Sequence, residues 1–251
     1  LIDSNEHEYV ETRIYADAKG YGCMIEVKDL SKRFDELVVL DHVSFTVPEA
    51  KMVVILGPSG TGKTVLLKSI IGLSALDEGE VFIDGQSVQK ADRREIYELR
   101  KKIGFVFQGT ALFDSMNVRE NIALPLVEHT SASVREIREK VAKILEIVGL
   151  PGKETLYPRS LSGGMKRLVS IGRALSLDPK YLFYDEPTTG LDPVMKDRIV
   201  KLIGNLKKDY RKSGVVVTHD LETAQAIGDV LYMLKNGRIA KLDKIGKEYY
   251  G

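Results

Sequence analysis

Short apolar runs separated by amphipathic stretches organise this chain. The runs 52–56 (MVVIL), 103–107 (IGFVF), 181–184 (YLFY), 215–218 (VVVT) and 230–234 (VLYML) are rich in β-branched and aromatic residues. Each is the length of a strand and too uniformly apolar for a half-solvated one. The pieces 25–30 (IEVKDL) and 43–47 (VSFTV), and 80–84 (EVFID) before Asp84-Gly85, also read as β. Between them, 92–100, 117–129, 133–150, 165–176, 194–208 and 221–228 carry helical spacing. In 133–150, Val134, Ile137, Val141, Ile144, Leu145 and Val148 fall on one face. Strand and helix in alternation predict an α/β fold whose parallel sheet is covered on both faces. Two adjoining helical segments after Gln108 predict a helical lobe, about residues 109–164, inserted into it.

Composition narrows the class. With 251 residues, 43% of them hydrophobic, the chain can bury one large domain. Thirty-seven basic and 36 acidic residues leave a formal charge of +1, which argues against a nucleic-acid partner. One cysteine, Cys23, cannot form an intramolecular disulfide. No apolar run reaches the roughly 18 residues of a membrane span, so membrane association would come through a partner. Residues 1–23 lack periodicity and read as a tail, natural or added, ahead of Met24 as a natural start; the domain is expected over 24–251.

Candidate chemistry starts at 57-GPSGTGKT-64, which fits G-x-x-x-x-G-K-[ST] between a strand and a helix. Gly57, Pro58, Ser59, Gly60, Thr61, Gly62, Lys63, Thr64 and Val65 are the expected phosphate-binding residues: backbone N–H groups and a helix start favour an anion. Lys63 would reach the β/γ-phosphates and the Thr64 hydroxyl would ligate Mg²⁺. Asp185 and Glu186 end the run 181–184, where a parallel sheet places ligand-binding groups. They divide as a metal carboxylate, Asp185, and a residue polarising the attacking water, Glu186. Ahead of them, 161-LSGGM-165 opens a second glycine-rich helix.

In this order the motifs resemble the nucleotide-binding domain of ATP-binding cassette proteins, from Ile25 to about Leu242. The resemblance implies a P-loop NTPase (RecA-like) core, an antiparallel β subdomain and an inserted α-helical subdomain. It implies that Phe34 stacks on adenine and that Gln108 touches Mg²⁺ and senses the helical lobe. Ser162, Gly163 and Gly164 stand where the family has its signature, with Met165 where most members have glutamine. Asp192, in 190-GLDP-193, would cross the dimer interface, and His219 matches the switch histidine that orients phosphate and water. Such a domain homodimerises around two ATP molecules, each site completed by the other copy, and hydrolyses them.

The stretch 111–130, together with LSGGM, is similar to the ATPase subunit of Mla/Mce-type phospholipid transporters. That resemblance implies an integral membrane permease, a Mce-domain substrate-binding partner and a STAS-like regulatory subunit. It places the chain in the cytoplasm, peripheral on the inner face of the inner membrane through the permease. Phe113, Met116, Val118 and Leu124 are expected to supply apolar surface for a permease helix, with Leu112, Phe113 or Met116 exposed. The alternative is a soluble ATP-driven assembly scaffold that meets no permease.

Overall fold

The computed structural model describes residues 23–242. Ten strands alternate there with seven α-helices. The strands are β1 (Cys23–Phe34), β2 (Leu37–Pro48), β3 (Met52–Leu56), β4 (Glu78–Ile83), β5 (Gln86–Ser87), β6 (Ile103–Val106), β7 (Tyr181–Asp185), β8 (Ser213–Thr218), β9 (Val230–Lys235) and β10 (Arg238–Leu242). The helices are α1 (Lys63–Ile70), α2 (Arg93–Lys101), α3 (Val118–His129), α4 (Val134–Ile147), α5 (Gly163–Leu175), α6 (Pro193–Asp209) and α7 (Leu221–Ile227).

The strands form two sheets. An antiparallel sheet has the order β2-β1-β4-β5, and a six-stranded sheet has the order β10-β9-β3-β8-β7-β6. In the second, β9, β3, β8, β7 and β6 run parallel, and only β10 opposes its neighbour. Successive residues point to opposite faces of a strand, so each parallel strand feeds two cores. Met52, Val54, Leu56, Leu182, Tyr184 and Val216 join the core beneath helices α3 to α7. Val53, Ile55, Tyr181, Phe183, Val215 and Val217 join the other, with the antiparallel sheet and Leu66, Leu67 and Ile70 of α1. All of these are buried, and complete burial of each such side chain contributes roughly 1.5–3 kcal/mol.

Local chemistry fixes where the helical lobe starts. Asn117 with Glu120 caps α3, and Ser133 with Glu136 caps α4, each as a reciprocal capping box that contributes about 1 kcal/mol. On α4, Val141, Ile144, Leu145 and Val148 are buried and Ile137 is half-buried against them. Val134 departs from the expected apolar face: at 68% exposure it lies on the first turn, where no neighbouring helix covers it. Two strands are absent from the expected pattern. β5 is only two residues long, and β10 alternates too weakly to register. Its hairpin turn does carry a signal, because Asn236 and Gly237 take positive φ of 51° and 78° between β9 and β10. The tail expected over residues 1–23 lies outside the described residues apart from Cys23.

Asp84 ties the small sheet to the large one. Its carboxylate accepts from Lys180 Nζ at 2.6 Å, Tyr181 Oη at 2.5 Å and Lys102 Nζ at 3.0 Å. Burial works against its charge, but these donors outweigh burial and hold its pKa at about 2, below the ordinary 3.8. A depressed carboxylate pKa adds stability that is complete above 3.8 and lost as pH falls toward 2. We expect Asp84→Asn to cost roughly 1 kcal/mol at pH 7, the shift being discounted because the group still meets solvent. In thermal melts, the Tm gap from wild type should close between pH 4 and pH 2.

Candidate functional site

The carboxyl ends of β3, β7 and β8 lie side by side, and each runs directly into a predicted functional residue. From β3 the chain enters 57–62 and turns into α1 at Gly62, whose φ of 95° is open to glycine and strained for other residues. A Cβ there would also come within 2.7 Å of Val39 Cγ1. That turn aims Lys63 inward, where it is 5% exposed. Its ammonium donates to the carbonyls of Gly57 at 2.7 Å and Pro58 at 2.9 Å and stands 3.2 Å from Glu186 Oε1. Thr61 Oγ1 donates to the Pro58 carbonyl at 2.9 Å, closing the loop on itself.

Next along the helix, Thr64 Oγ1 donates to Asp185 Oδ2 at 2.9 Å and Oδ1 at 3.0 Å. These residues are 121 positions apart in sequence. Asp185 is buried, and burial pushes its pKa above the usual carboxylate value. The Thr64 hydroxyl draws it down, and the Glu186 charge pushes it up again. Thr64 Oγ1 and the Asp185 carboxylate together offer only oxygen ligands, as a hard hydrated cation such as Mg²⁺ requires. Among the described residues no three His, Cys, Asp or Glu side chains gather to hold a metal. An ion that keeps its waters and rides on substrate phosphates needs no such cage.

Glu186 is held on both oxygens. Oε1 faces Lys63, while Oε2 accepts from Thr189 Oγ1 at 3.0 Å and lies 3.0 Å from His219 Nδ1. Burial opposes its ionisation, yet His219, Lys63 and Thr189 together hold its pKa below the ordinary value. An ionised carboxylate only accepts, which assigns the proton of the histidine contact to Nδ1. The backbone of Glu186 is itself left-handed, with φ of 49°.

A pocket of about 350 Å³ opens over these groups. Phe34, Ser59, Gly60, Gly62, Lys63, Thr64, Val65, Gln108 and Glu186 line it, with Val39 added by the fold. Phe34 is 49% exposed, a flat aromatic at the mouth and no part of the core. Ser162, Gly163, Gly164 and Asp192 are not among the residues lining it. Ser162 caps α5 by accepting from the Met165 N–H at 3.3 Å, and Asp192 caps α6 by accepting from the Met195 N–H at 3.0 Å. Ser162, Gly163 and Asp192 are exposed. Gly164 packs so closely on α6 that a Cβ would fall 2.2 Å from Met195 Cγ. The two helix starts thus form one exposed platform.

Three residues of this region went unread in the sequence. Asn121, fully buried, accepts from the Phe113 N–H and donates to the carbonyls of Phe113, Met116 and Asn117, holding the loop before α3. Arg167 donates to the carbonyls of Phe107 and Gln108, and Arg173 to those of Thr110 and Ala111. Burial lowers the pKa of both arginines, and for Arg167 the Asp185 charge works the other way. Nothing in local spacing marks an Arg inside α5 for this task, although Arg173 breaks an otherwise apolar turn.

A second, larger concavity of about 730 Å³ lies between α2, the strand start at Ile103 and the helical lobe. Phe113 and Leu124 line it, and Phe113 is 50% exposed. Leu112 and Met116 are half-buried, Leu112 against the core. Val118 does not belong to this surface: it is buried in the core, because the first residue of α3 turns its side chain under the lobe.

Residues 40–189 match the family model described as "ABC transporter". The chain is 40% identical over 216 residues, 86% of its length and 82% of the relative's, to the "Intermembrane phospholipid transport system ATP-binding protein MlaF" of Haemophilus influenzae. It is 41% identical over 221 residues to the "Probable ribonucleotide transport ATP-binding protein mkl" of Mycobacterium bovis, covering 87% of this chain and 62% of that protein. Among solved structures, the dimeric bacterial ABC transporter cassette MJ0796 aligns with a TM-score of 0.81 at 33% identity, over 88% of this chain and all of that one.

Two substitutions separate binding from chemistry at this site. Lys63→Ala removes the cation facing the loop, and we expect both nucleotide binding by calorimetry and hydrolysis to vanish. Glu186→Gln keeps the shape and loses the charge: nucleotide affinity should stay within a few-fold while turnover falls by about 10²-fold or more.

Proposed function

The chain belongs to the ABC transporter family as an ATP-binding, ATP-hydrolysing subunit, and we propose that the transporter it energises moves phospholipid between membranes. The single observation that carries the lipid reading is the 40% identity to an intermembrane phospholipid subunit across most of both chains. The mycobacterial relative named for ribonucleotide transport is similarly identical, but this chain spans only 62% of it.

The chemistry follows from the contacts. Lys63 is shared between Glu186 and two loop carbonyls, so an arriving β/γ-phosphate competes for the same ammonium and frees Glu186 Oε1. Glu186, ionised and still held by Thr189 and His219 on its other oxygen, then accepts hydrogen from the attacking water. His219, 45% exposed at its side chain, keeps its Nδ1–H on Glu186 and would donate to the terminal phosphate through Nε2 once the ring carries a second proton. Thr64 and Asp185 would hold Mg²⁺, with Gln108 approaching it, and the ion would neutralise charge on the β- and γ-phosphates. Phe34 would stack on the adenine. Ser162, Gly163, Gly164 and Asp192 would act on the nucleotide of a second copy, since none of them lines their own pocket and Ser162, Gly163 and Asp192 are exposed. Two copies therefore enclose two ATP molecules, as a dimer resembling the solved cassette.

Among the described residues no helix is long and apolar enough to cross a membrane. Work reaches the bilayer through a permease, one of whose cytoplasmic segments fits the concavity at Phe113 and Leu124. A Mce-domain substrate-binding subunit and a STAS-like regulator complete the assembly, and the subunit sits on the cytoplasmic face of the inner membrane. Because Phe113 is exposed, Phe113→Asp should leave fold and basal ATPase intact. On coexpression with the permease it should abolish detergent copurification and lipid transport. A wild-type subunit that fractionates away from membranes with no permease attached would favour the soluble scaffold.

A further inference from the structure

Two arginine forks fasten α5, the helix capped by Ser162, to the segment from Phe107 to Ala111 that contains Gln108. Arg167 donates through Nη1 to the Phe107 carbonyl at 2.6 Å and through Nη2 to the Gln108 carbonyl at 2.7 Å. Further along the helix, Arg173 donates through Nη1 to the Ala111 carbonyl at 2.7 Å and through Nη2 to the Thr110 carbonyl at 3.2 Å. Of the five carbonyls from Phe107 to Ala111, four are thus held by guanidinium groups of one helix. A guanidinium is planar with donors at fixed angles, so each fork sets the orientation of the loop as well as its distance. The loop conforms to them at a cost, since Thr110 and Ala111 both take left-handed backbone, with φ of 57° and 51°. Arg167 is 4% exposed, and its Nε has no hydrogen-bond partner. A buried cation with a spare donor is an expensive way to hold a helix if packing alone were required.

We propose that Arg167 and Arg173 are positioning residues that make the Gln108 loop and the Ser162 helix a single moving body. Nucleotide sensed at Gln108 in one chain then sets the placement of the same chain's Ser162, Gly163 and Gly164 against the nucleotide of the second copy. This rests on the roles of Gln108 and Ser162 proposed above. It adds the path between them, which lies wholly inside one chain. Such a link makes the two sites of a dimer respond to each other, and that coupling is reciprocal.

The test uses the full chain and Mg-ATP. Arg167→Met and Arg173→Met should leave ATP affinity, measured by calorimetry, within about twofold of wild type, while kcat falls about tenfold. The Hill coefficient for ATP should drop from above 1 in wild type to about 1, the value for uncoupled sites. Each is combined with Gln108→Ala. If the residues share one path, the double variant is no slower than the slower single; if they act independently, the losses multiply. Multiplying losses, or retained cooperativity, would overturn the proposal. Should Arg167→Met unfold, Arg173→Met at the more exposed fork decides the matter alone. Glu186→Gln with Mg-ATP supplies the control: if it fails to dimerise, the two-copy reading falls, whereas a dimer alongside unchanged Hill coefficients removes only the coupling.

Discussion

A parallel sheet buried on both faces has no room for polar chemistry except at its ends. Here β3 is apolar throughout, and β7 and β8 are apolar but for two tyrosines and Ser213 at the amino end of β8, with Asp185 and Thr218 the polar residues at their carboxyl ends. Every charge the reaction needs is therefore delivered at one edge, by the residues where the strands stop. The P-loop leaves β3, the carboxylate pair ends β7, and the histidine follows β8. Parallel pairing in register places these three exits side by side. Hydrogen bonds from Thr64 to Asp185, and the approach of Lys63 to Glu186, then join positions more than a hundred residues apart.

The same edge supports the proposal that each site needs a second chain. Its pocket is walled by Phe34, the P-loop, Gln108 and Glu186, in the proposed function the adenine side and the metal side of a bound nucleotide. Nothing from α5 closes it. The glycine-rich start of α5 instead sits on α6, with Gly164 against Met195 and Ser162 and Gly163 left exposed. A helix start whose first N–H groups lack intrahelical partners is suited to meet phosphate on another molecule. Forks from Arg167 and Arg173 tie this outward platform to the inward-facing pocket.

Much of this was legible in the sequence because it rests on local rules. Strand runs, the P-loop and the carboxylate pair each announce themselves within a few residues, and their order along the chain resembled the family. What escaped depends on contacts made at a distance. Arg167, Arg173 and Asn121 look like ordinary helix residues until the loop they hold is folded beside them. Val118 and Val134 carry the right period and were still misplaced, because a periodic pattern says which face a residue occupies and not where the neighbouring helix ends. β10 was missed although Asn236-Gly237 marks its turn, since its own residues barely alternate.

The claim on which the rest stands is that each catalytic site is built from two copies. Ser59, exposed on the P-loop, and Ser162, exposed at the start of α5, mark its two halves. Each is changed to cysteine in a separate chain from which Cys23 has been removed, and the two variants are mixed with Mg-ATP and a short bis-maleimide. A crosslinked dimer that forms in the mixture, depends on nucleotide and is absent from either variant alone is the result expected. A nucleotide-dependent dimer that never crosslinks between these positions would contradict the composite site.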